Sequence, residues 1–239
     1  MIIDEQAAAL PLLSQIPQRL IPRAGEPEEG TVPLLNEHTL TVAVNGRSAM
    51  ELVCVPQYLP ELVLGRLLTE GAIRGPEDVA LLRLRQGGRL AEVTLNRAYP
   101  APPPRPGVLI PIPWQSEWVF RLADRFAQGM PLHAATWSTH SCFLAREGAL
   151  LFSCEDIGRH NALDKVIGYA LRTGVPLDRC MVYSSGRIPT DMAWKAICAG
   201  IPVLVSKAAP TAQAVSLAER HGLTLICSAR RDSMRLFCG

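Results

Sequence analysis

The sequence has few of the features that mark membrane proteins, secreted proteins and nucleic-acid binders. No apolar run among its 239 residues approaches the ~18–20 residues that a membrane-spanning helix needs. The formal net charge is 24 − 22 = +2, too small for binding nucleic acid through a basic surface. The first five residues, Met-Ile-Ile-Asp-Glu, are acidic where a secretory signal is basic. We therefore expect a cytoplasmic protein that binds neither membranes nor nucleic acid.

Metal-binding and nucleotide-binding patterns are also missing. The seven cysteines are odd in number and widely spaced without any Cys-x-x-Cys, which argues against disulfides and a structural zinc site. The patterns G-x-x-x-x-G-K-[ST], G-x-G-x-x-G, H-E-x-x-H and the zinc-deaminase signature are absent. We predict no metal of the protein's own and neither P-loop nor Rossmann binding.

The cysteines divide by their surroundings. Those inside apolar runs are typical of small core residues, namely Cys54, Cys180 and Cys198. Those near polar clusters are candidates for chemistry, namely Cys142, Cys154 and Cys227.

The first 113 residues predict a small unit between two irregular segments. Prolines and acidic residues over 1–30 predict a loose leader. Residues 31–99 predict a small α+β domain, with a hairpin turning at Asn45-Gly46, a helix over 60–70 and a strand over 89–96. Seven prolines in the fourteen residues 100–113 exclude helix and central strand, and predict an extended linker.

Residues 114–239 have a different pattern of predicted elements. After a predicted helix over 114–128, short apolar strands are expected over 149–153, 180–184, 202–206 and 223–227. Helices are expected to begin near Arg159, Thr190 and Pro210. This alternation predicts an α/β domain with a parallel sheet that is covered on both faces.

Each predicted strand ends in a polar cluster. The carboxyl ends of parallel strands meet at one edge of a sheet, where ligands bind. This edge would hold five cations near helix N-termini, namely Arg159, Arg187, Lys207, Arg230 and Arg231. The sequence therefore predicts an anion site suited to phosphates or a pyrophosphate.

Other residues at this edge have two or more interpretations. Glu155 and Asp156 could cap the following helix, hold the arginines, or accept hydrogen bonds from a ligand. His160 and Asn161 are either helix-start residues or ligand donors. His140 is either structural or, with Cys142 two residues away, an acid–base or thiol partner.

Four segments of the second half have a distinctive sequence, namely Glu155-Asp-Ile-Gly-Arg-His-Asn-Ala-Leu-Asp-Lys-Val-Ile-Gly168, Ser184-Ser-Gly-Arg187, residues 195–206 and Ala209-Pro-Thr211. They resemble the formate dehydrogenase accessory family, FdhD/NarQ. In the first half, Thr41–Gly46 and Tyr58–Gly65 match as well, so the resemblance covers about residues 31–237.

The resemblance implies a fold, a cargo and partners. Members have a small N-terminal domain and a C-terminal α/β/α domain similar to the cytidine deaminase fold, and form homodimers. They take sulfur from a cysteine desulfurase and pass it to the molybdenum bis(guanine dinucleotide) cofactor for formate dehydrogenase or a related molybdenum or tungsten oxidoreductase. The cofactor-binding residues implied are Arg159, His160, Ser185, Arg187, Lys195, Ser206, Lys207, Ser228, Ala229, Arg230, Arg231, Asp232 and Ser233.

The sequence departs from the family in two places. The family's persulfide Cys-x-x-Cys loop corresponds to residues 99–107, which contain no cysteine. The family's Gly-Phe-x-Arg-Gly-Asp-Arg-Met loop corresponds to Cys227–Met234, without its aromatic residue.

Three hypotheses follow from this comparison. A sulfurtransferase-type factor would carry sulfur on a relocated thiol, Cys142 beside His140 first and Cys154 second. A cofactor-binding chaperone would need no thiol chemistry. An unrelated nucleotide-binding enzyme could use the same edge.

Overall fold

The structure, a computed structural model, describes residues 1–5, 10–96, 98–99 and 106–239. It is a mixed α/β protein whose described strands form three sheets. The first sheet has the order β1-β6-β7-β4-β5, with the strands β1 Ile2–Glu5, β4 His38–Val44, β5 Arg47–Cys54, β6 Val79–Arg85 and β7 Leu90–Leu95. Asn45 and Gly46 both have positive φ, as a two-residue hairpin turn requires, which confirms the β4–β5 hairpin.

The first 30 residues contain strands, so the expectation of a loose leader is wrong. Strand β1 pairs in parallel with β6 at the edge of the first sheet. Strands β2 Leu13–Leu20 and β3 Glu28–Leu35 form a separate antiparallel ribbon. Most residues of this ribbon are exposed, so its sequence has no alternation of apolar and polar residues to reveal it. Prolines fit there because a two-stranded ribbon has unpaired edges.

The second large sheet has six strands in the order β13-β12-β11-β10-β8-β9. They are β8 His140–Arg146, β9 Ala149–Asp156, β10 Met181–Ser184, β11 Val203–Ser206, β12 Thr224–Cys227 and β13 Arg235–Cys238. The predicted alternation of strands and helices is confirmed, but the prediction of a wholly parallel sheet is wrong. Strands β10 to β12 are parallel, whereas β8 and β13 are antiparallel to their neighbours.

Helices cover both faces of this sheet. The helices α4 Arg159–Thr173, α5 Thr190–Cys198 and α6 Ala212–His221 bury one face, and α2 Ser116–Ala127 buries the other. Short helix α3, Pro131–Thr136, precedes β8. Alternate residues of β10 pack into the cores on the two faces of the sheet. Val182 faces the three helices and Tyr183 faces α2.

Helix α1, Leu59–Thr69, joins the two large sheets by packing against α4. The helices cross so closely that Gly65 and Gly168 leave no space for a side chain. Leu62, Leu163 and Ile167 are fully buried here within one core that continues into both sheets. The domain boundaries predicted at residues 30, 99 and 113 stay predictions. The buried core is nevertheless continuous between the two large sheets.

The structure describes only part of the linker predicted over residues 100–113. Residues 106–115 have no regular secondary structure, and residues 100–105 lie outside the described part. In the described ranges, none of the helices combines the length and apolar character that crossing a bilayer requires.

Candidate functional site

The polar clusters that follow the strands do meet at one edge of the six-stranded sheet. Strand β9 runs in the same direction as β10 because β8 is antiparallel to both. The carboxyl ends of β9 to β12 therefore share an edge with the start of β8. Ser185 Oγ accepts a hydrogen bond from the Ser141 N–H at 3.1 Å, and Ser206 Oγ donates to the Gly186 carbonyl at 2.6 Å. These bonds confirm the predicted convergence.

The residues at this edge divide between the two faces of the sheet. On the α2 side lies a cavity of about 630 Å³, which we call the α2-face pocket. It is lined by Ala123, Phe126, Ala127, Tyr183, Lys207, Ala229, Arg230, Arg231 and Asp232. Five of these, Lys207 and the run from Ala229 to Asp232, were predicted from the sequence.

The α2-face pocket combines an apolar wall with cations. The half-buried Phe126 ring lies against Phe143 and Tyr183, with centroid distances of 5.0 Å to each. Lys207 Nζ stands 6.0 Å from the centre of the Phe126 ring. Within the described residues, Lys207 and Arg230 form no ion pair, whereas Arg231 Nε pairs with Asp124 at 3.0 Å. An aromatic ring beside unpaired cations suits a ligand with a planar ring and a phosphate group.

The loop after β12 is held against the sheet by its backbone. Tyr183 donates its hydroxyl proton to the Ala229 carbonyl at 2.7 Å, and burial raises the pKa of this phenol. The Ala229 N–H donates to the Ser206 carbonyl, and the Arg230 N–H donates to the Ser233 carbonyl at 2.8 Å. Ser228 and Ser233 belong to this loop but do not line the pocket. The loop is therefore a fixed turn that presents Arg230 to the cavity.

A second cluster lies on the α4 side of the edge. We call it the histidine rim, and it consists of His140, Arg159, His160, Ser185 and Arg187. Ser185 Oγ lies 3.0 Å from His140 Nδ1, and His160 Nε2 lies 2.8 Å from Asp191 Oδ2. Burial, followed by the charge of Arg159, lowers the pKa of His140. Burial also lowers the pKa of His160, against the opposing effect of Asp191.

The two carboxylates after β9 have structural roles. Glu155 accepts hydrogen bonds from the backbone N–H groups of Leu132 and His133 at 2.9 and 2.7 Å, so it caps α3 rather than the following helix. Asp156 is fully buried and pairs with Lys165 Nζ at 2.6 Å.

Asp156 also joins the start of α4 to the first sheet. It accepts from the Gly158 N–H and from Asn161 Nδ2, which itself donates to the Val53 carbonyl. Asn161 is therefore a helix-start residue that connects the two sheets, and the ligand-donor alternative does not fit it.

Two residues implied as cofactor ligands are engaged elsewhere. Lys195 is buried, and its Nζ contacts both carboxylate oxygens of Asp164 at 2.8 and 2.9 Å and Thr69 Oγ1 at 2.8 Å. Ser206 is fully buried and braces the turn through Gly186. Neither side chain is placed to contact a ligand at the sheet edge.

The structure places no cysteine in an activating environment. Cys142 is fully buried beneath the helices, and burial raises its pKa well above the ordinary value, so the expectation that it lies at the polar edge is wrong. Cys154 pairs with it across the strands, and burial raises the pKa of Cys154 to about 12. The pKa of each of the other five thiols is also raised by burial.

Sequence reasoning missed four residues of the α2-face pocket, the small Ala123 and Ala127 and the aromatic Phe126 and Tyr183. Both aromatic residues stand in runs that are typical of core residues, and both also pack against the core on the α2 face of the sheet. The available signal was position, because Phe126 is in the last turn of an amphipathic helix and Tyr183 is next to the predicted edge.

Fold and site together define a mixed α/β protein with a cationic cleft at the carboxyl edge of a sheet. The model of the FdhD/NarQ family matches residues 35–105 and 101–239. The chain belongs to this family, as the sequence analysis predicted.

Relatives and a solved structure agree with this assignment. The chain is 28% identical over 243 residues to the sulfur carrier protein FdhD of Listeria monocytogenes serotype 4b, covering 90% of this chain and 93% of that protein. It is 31% identical over 235 residues to the protein of the same name from Geobacillus kaustophilus, covering 88% and 89%. A crystal structure described as a formate dehydrogenase accessory protein from Desulfotalea psychrophila has a TM-score of 0.80 and 27% identity, covering 96% of this chain and 98% of that one.

Proposed function

We propose that this protein is a cytoplasmic accessory factor for a formate dehydrogenase or a related molybdenum or tungsten oxidoreductase. It binds the molybdenum bis(guanine dinucleotide) cofactor as cargo, with one guanine nucleotide in the α2-face pocket. In this proposal the C-terminal half is of the cytidine deaminase type, and the protein acts as a homodimer with a cysteine desulfurase as its sulfur source. The description of the similar crystal structure as a formate dehydrogenase accessory protein supports the accessory role.

The observation that carries the proposal is the composition of the α2-face pocket. A guanine base would stack against Phe126, since a base and an aromatic ring attract each other with little dependence on sequence. The diphosphate would meet Lys207 and Arg230, whose charges have no carboxylate partner among the described residues. Phe126 would thus supply the aromatic surface that the Cys227–Met234 loop lacks.

Calorimetry with guanosine diphosphate tests the proposal on the intact chain. Arg230→Ala should weaken binding by about 1.5–3 kcal/mol through loss of a charge-assisted hydrogen bond. Phe126→Ala should weaken it by about 1–3 kcal/mol through loss of stacking.

One control separates the pocket from general electrostatics. Arg220→Ala removes an exposed cation from α6. Arg220 does not line the α2-face pocket, so this variant should bind guanosine diphosphate like the wild type. A folded wild-type protein that gives no binding heat would overturn the proposal.

The burial of the cysteines favours a second candidate, a chaperone that delivers the cofactor without carrying sulfur. A persulfide forms on an accessible thiolate, whereas burial raises the pKa of every cysteine of this chain. Incubation with a cysteine desulfurase and ³⁵S-labelled cysteine distinguishes the candidates. Protein-bound label that a reductant releases supports the sulfur carrier, and its absence supports the chaperone.

A further inference from the structure

We propose that a cavity at the start of helix α1 binds a primary ammonium group carried on an aliphatic chain. The cavity has a volume of about 320 Å³, and we call it the α1 cavity. Its lining includes Glu5, Tyr58, Leu59, Glu61, Leu84 and Arg172. No residue of the α2-face pocket or of the histidine rim lines it, so this proposal is independent of nucleotide binding.

The first support is a buried acceptor without a donor. The Glu61 side chain is only 7% exposed, and its Oε1 accepts from Arg172 Nη1 at 2.7 Å. Its Oε2 is buried and accepts a hydrogen bond from no described residue. A buried carboxylate oxygen without a donor costs free energy. The terminal torsion of a glutamate side chain is soft, so Oε2 can turn to a donor in the cavity while Oε1 keeps Arg172.

The charge of the lining is the second support. Arg172 Nη1 pairs with Glu61 and Arg172 Nη2 pairs with Glu5 Oε1, both at 2.7 Å. The α1 cavity therefore has one guanidinium for two carboxylates, and one negative charge is left without a counterion. A single positive charge in the cavity would balance the lining, and the partly buried position limits the competition from water.

An aromatic ring and apolar side chains form the rest of the lining. The Tyr58 ring meets Phe152 edge to face with a centroid distance of 5.0 Å, and Phe152 stacks on Tyr169 at 4.1 Å. This aromatic row holds the Tyr58 ring at the cavity. An aromatic ring attracts a cation through its face. Leu59 and Leu84 offer apolar surface on which methylene groups can be buried.

The set of acceptors favours an ammonium group over other cations. A divalent metal ion takes about six or more oxygen ligands, and no cluster of described residues could hold one. A guanidinium binds a carboxylate best through both oxygens, but Arg172 already occupies Glu61 Oε1. An ammonium is a compact charge that one free oxygen can bind. The ligand is therefore an alkylammonium group, which belongs either to a free diamine or to a lysine side chain of a partner.

Pentylammonium is the probe for this site. Titrated into the full chain, it should shift the amide resonances of Leu59, Glu61 and Leu84 in a saturable way. The uncharged 1-pentanol has the same length and should bind at least tenfold more weakly. Glu61→Gln keeps the shape and the acceptor for Arg172 but removes the charge, so it should weaken pentylammonium binding at least tenfold. Glu70→Gln is the matched control, because it removes an exposed carboxylate at the other end of α1 and should leave the affinity unchanged.

A second variant tests the site without altering the buried ion pair. Tyr58 has φ of 57°, a left-handed conformation that asparagine tolerates, so Tyr58→Asn should fold and weaken pentylammonium binding severalfold. Far-UV circular dichroism verifies the fold of each variant. No saturable binding of pentylammonium, equal binding of 1-pentanol, or wild-type affinity in both Glu61→Gln and Tyr58→Asn would overturn the inference.

A diamine distinguishes the two sources of the ammonium group. The second ammonium of 1,5-diaminopentane can reach the half-exposed Glu5, whose side chain is 41% exposed. Binding at least tenfold tighter than that of pentylammonium would identify a free diamine as the ligand. Equal affinities would identify the lysine side chain of a partner, and both results support the ammonium site.

Discussion

At the scale of single residues, burial decides which thiols can react. Cys142 and Cys154 are shielded and have raised pKa values, whereas Cys198 and Cys238 are half-buried. Iodoacetamide at neutral pH should therefore modify Cys198 and Cys238 before Cys142, because alkylation needs both access and thiolate. Peptide mapping after short exposures measures this order. Early labelling of Cys142 would restore it as a candidate sulfur carrier.

Lys195 and Asp164 form a buried ion pair that the sequence did not distinguish from a ligand site. Lys195→Met should lower the free energy of unfolding by about 3–5 kcal/mol, since it leaves a buried carboxylate with only Thr69 and the more distant Arg66. Urea denaturation measures the loss.

The double variant is the control for this prediction. Lys195→Met combined with Asp164→Leu removes both charges and should recover much of the lost stability. A double variant no more stable than Lys195→Met alone would contradict the assignment of the cost to an unpaired charge.

At the scale of elements, the α1–α4 crossing depends on two glycines. A Cβ on Gly65 would collide with the Asp164 backbone, and one on Gly168 would collide with the Glu61 backbone. Gly65→Ala and Gly168→Ala should each cost about 3 kcal/mol or more of unfolding free energy, because backbone cannot move aside as a side-chain end can. Thermal or urea unfolding measures both.

Gly174 offers a comparison at the end of the same helix α4. It has φ of 72° and nothing within 4 Å of its added Cβ, so Gly174→Ala should cost only about 1–2 kcal/mol of backbone strain. Equal losses at all three glycines would mean that the close helix contact contributes little.

How far the elements could be predicted depended on burial. The helices α2, α4, α5 and α6 and the strands β9 to β12 have one buried face or are wholly buried, and their predicted starts lie within a few residues of those observed. The ribbon β2–β3 and the edge strands β1 and β13 are largely exposed, so no apolar periodicity marks them.

The sequence could predict at which edge of the sheet the candidate site lies, but not on which face of the sheet each of its residues lies. Strand ends carry polar clusters in the sequence itself, which located Arg159, Arg187 and Arg230 together. The face of the sheet on which each residue lies depends on the antiparallel strand β8 and on the turn at Gly186. No sequence pattern marks either feature. The pocket aromatic Phe126 comes from a helix on the far side of the sheet, a contact set by tertiary packing.

At the scale of the whole molecule, the histidine rim makes stability depend on pH. The pKa values of His140 and His160 are lowered on folding, so the unfolded chain binds more protons as pH falls below about 7. Stability should therefore be complete above the unfolded pKa and decrease between about pH 7 and pH 5. Urea denaturation at several pH values measures the slope.

The histidine contribution can be isolated by substitution. His140→Asn and His160→Asn should each flatten the decrease, whatever their effect at pH 7. His221→Asn removes an imidazole that lies outside the histidine rim and is the comparison variant. An unchanged slope in both rim variants would contradict the assignment to these side chains.

The continuous core predicts that both large sheets unfold together. Buried residues of α1 pack on α4 rather than only on their own sheet, and Asn161 and Asp156 bond to the backbone of Val53 and Val55 across the junction. Separating the two large sheets would expose apolar surface on α1 and α4 and leave these buried polar groups without partners. Opening one sheet alone therefore costs free energy in both. Native-state hydrogen exchange should give the slowest amides of β4 and β11 the same opening free energy, equal to the global one. If the β4 amides opened at a clearly lower free energy than those of β11, the first sheet would be an independently unfolding unit, and the boundary predicted near residue 100 would mark a true domain limit.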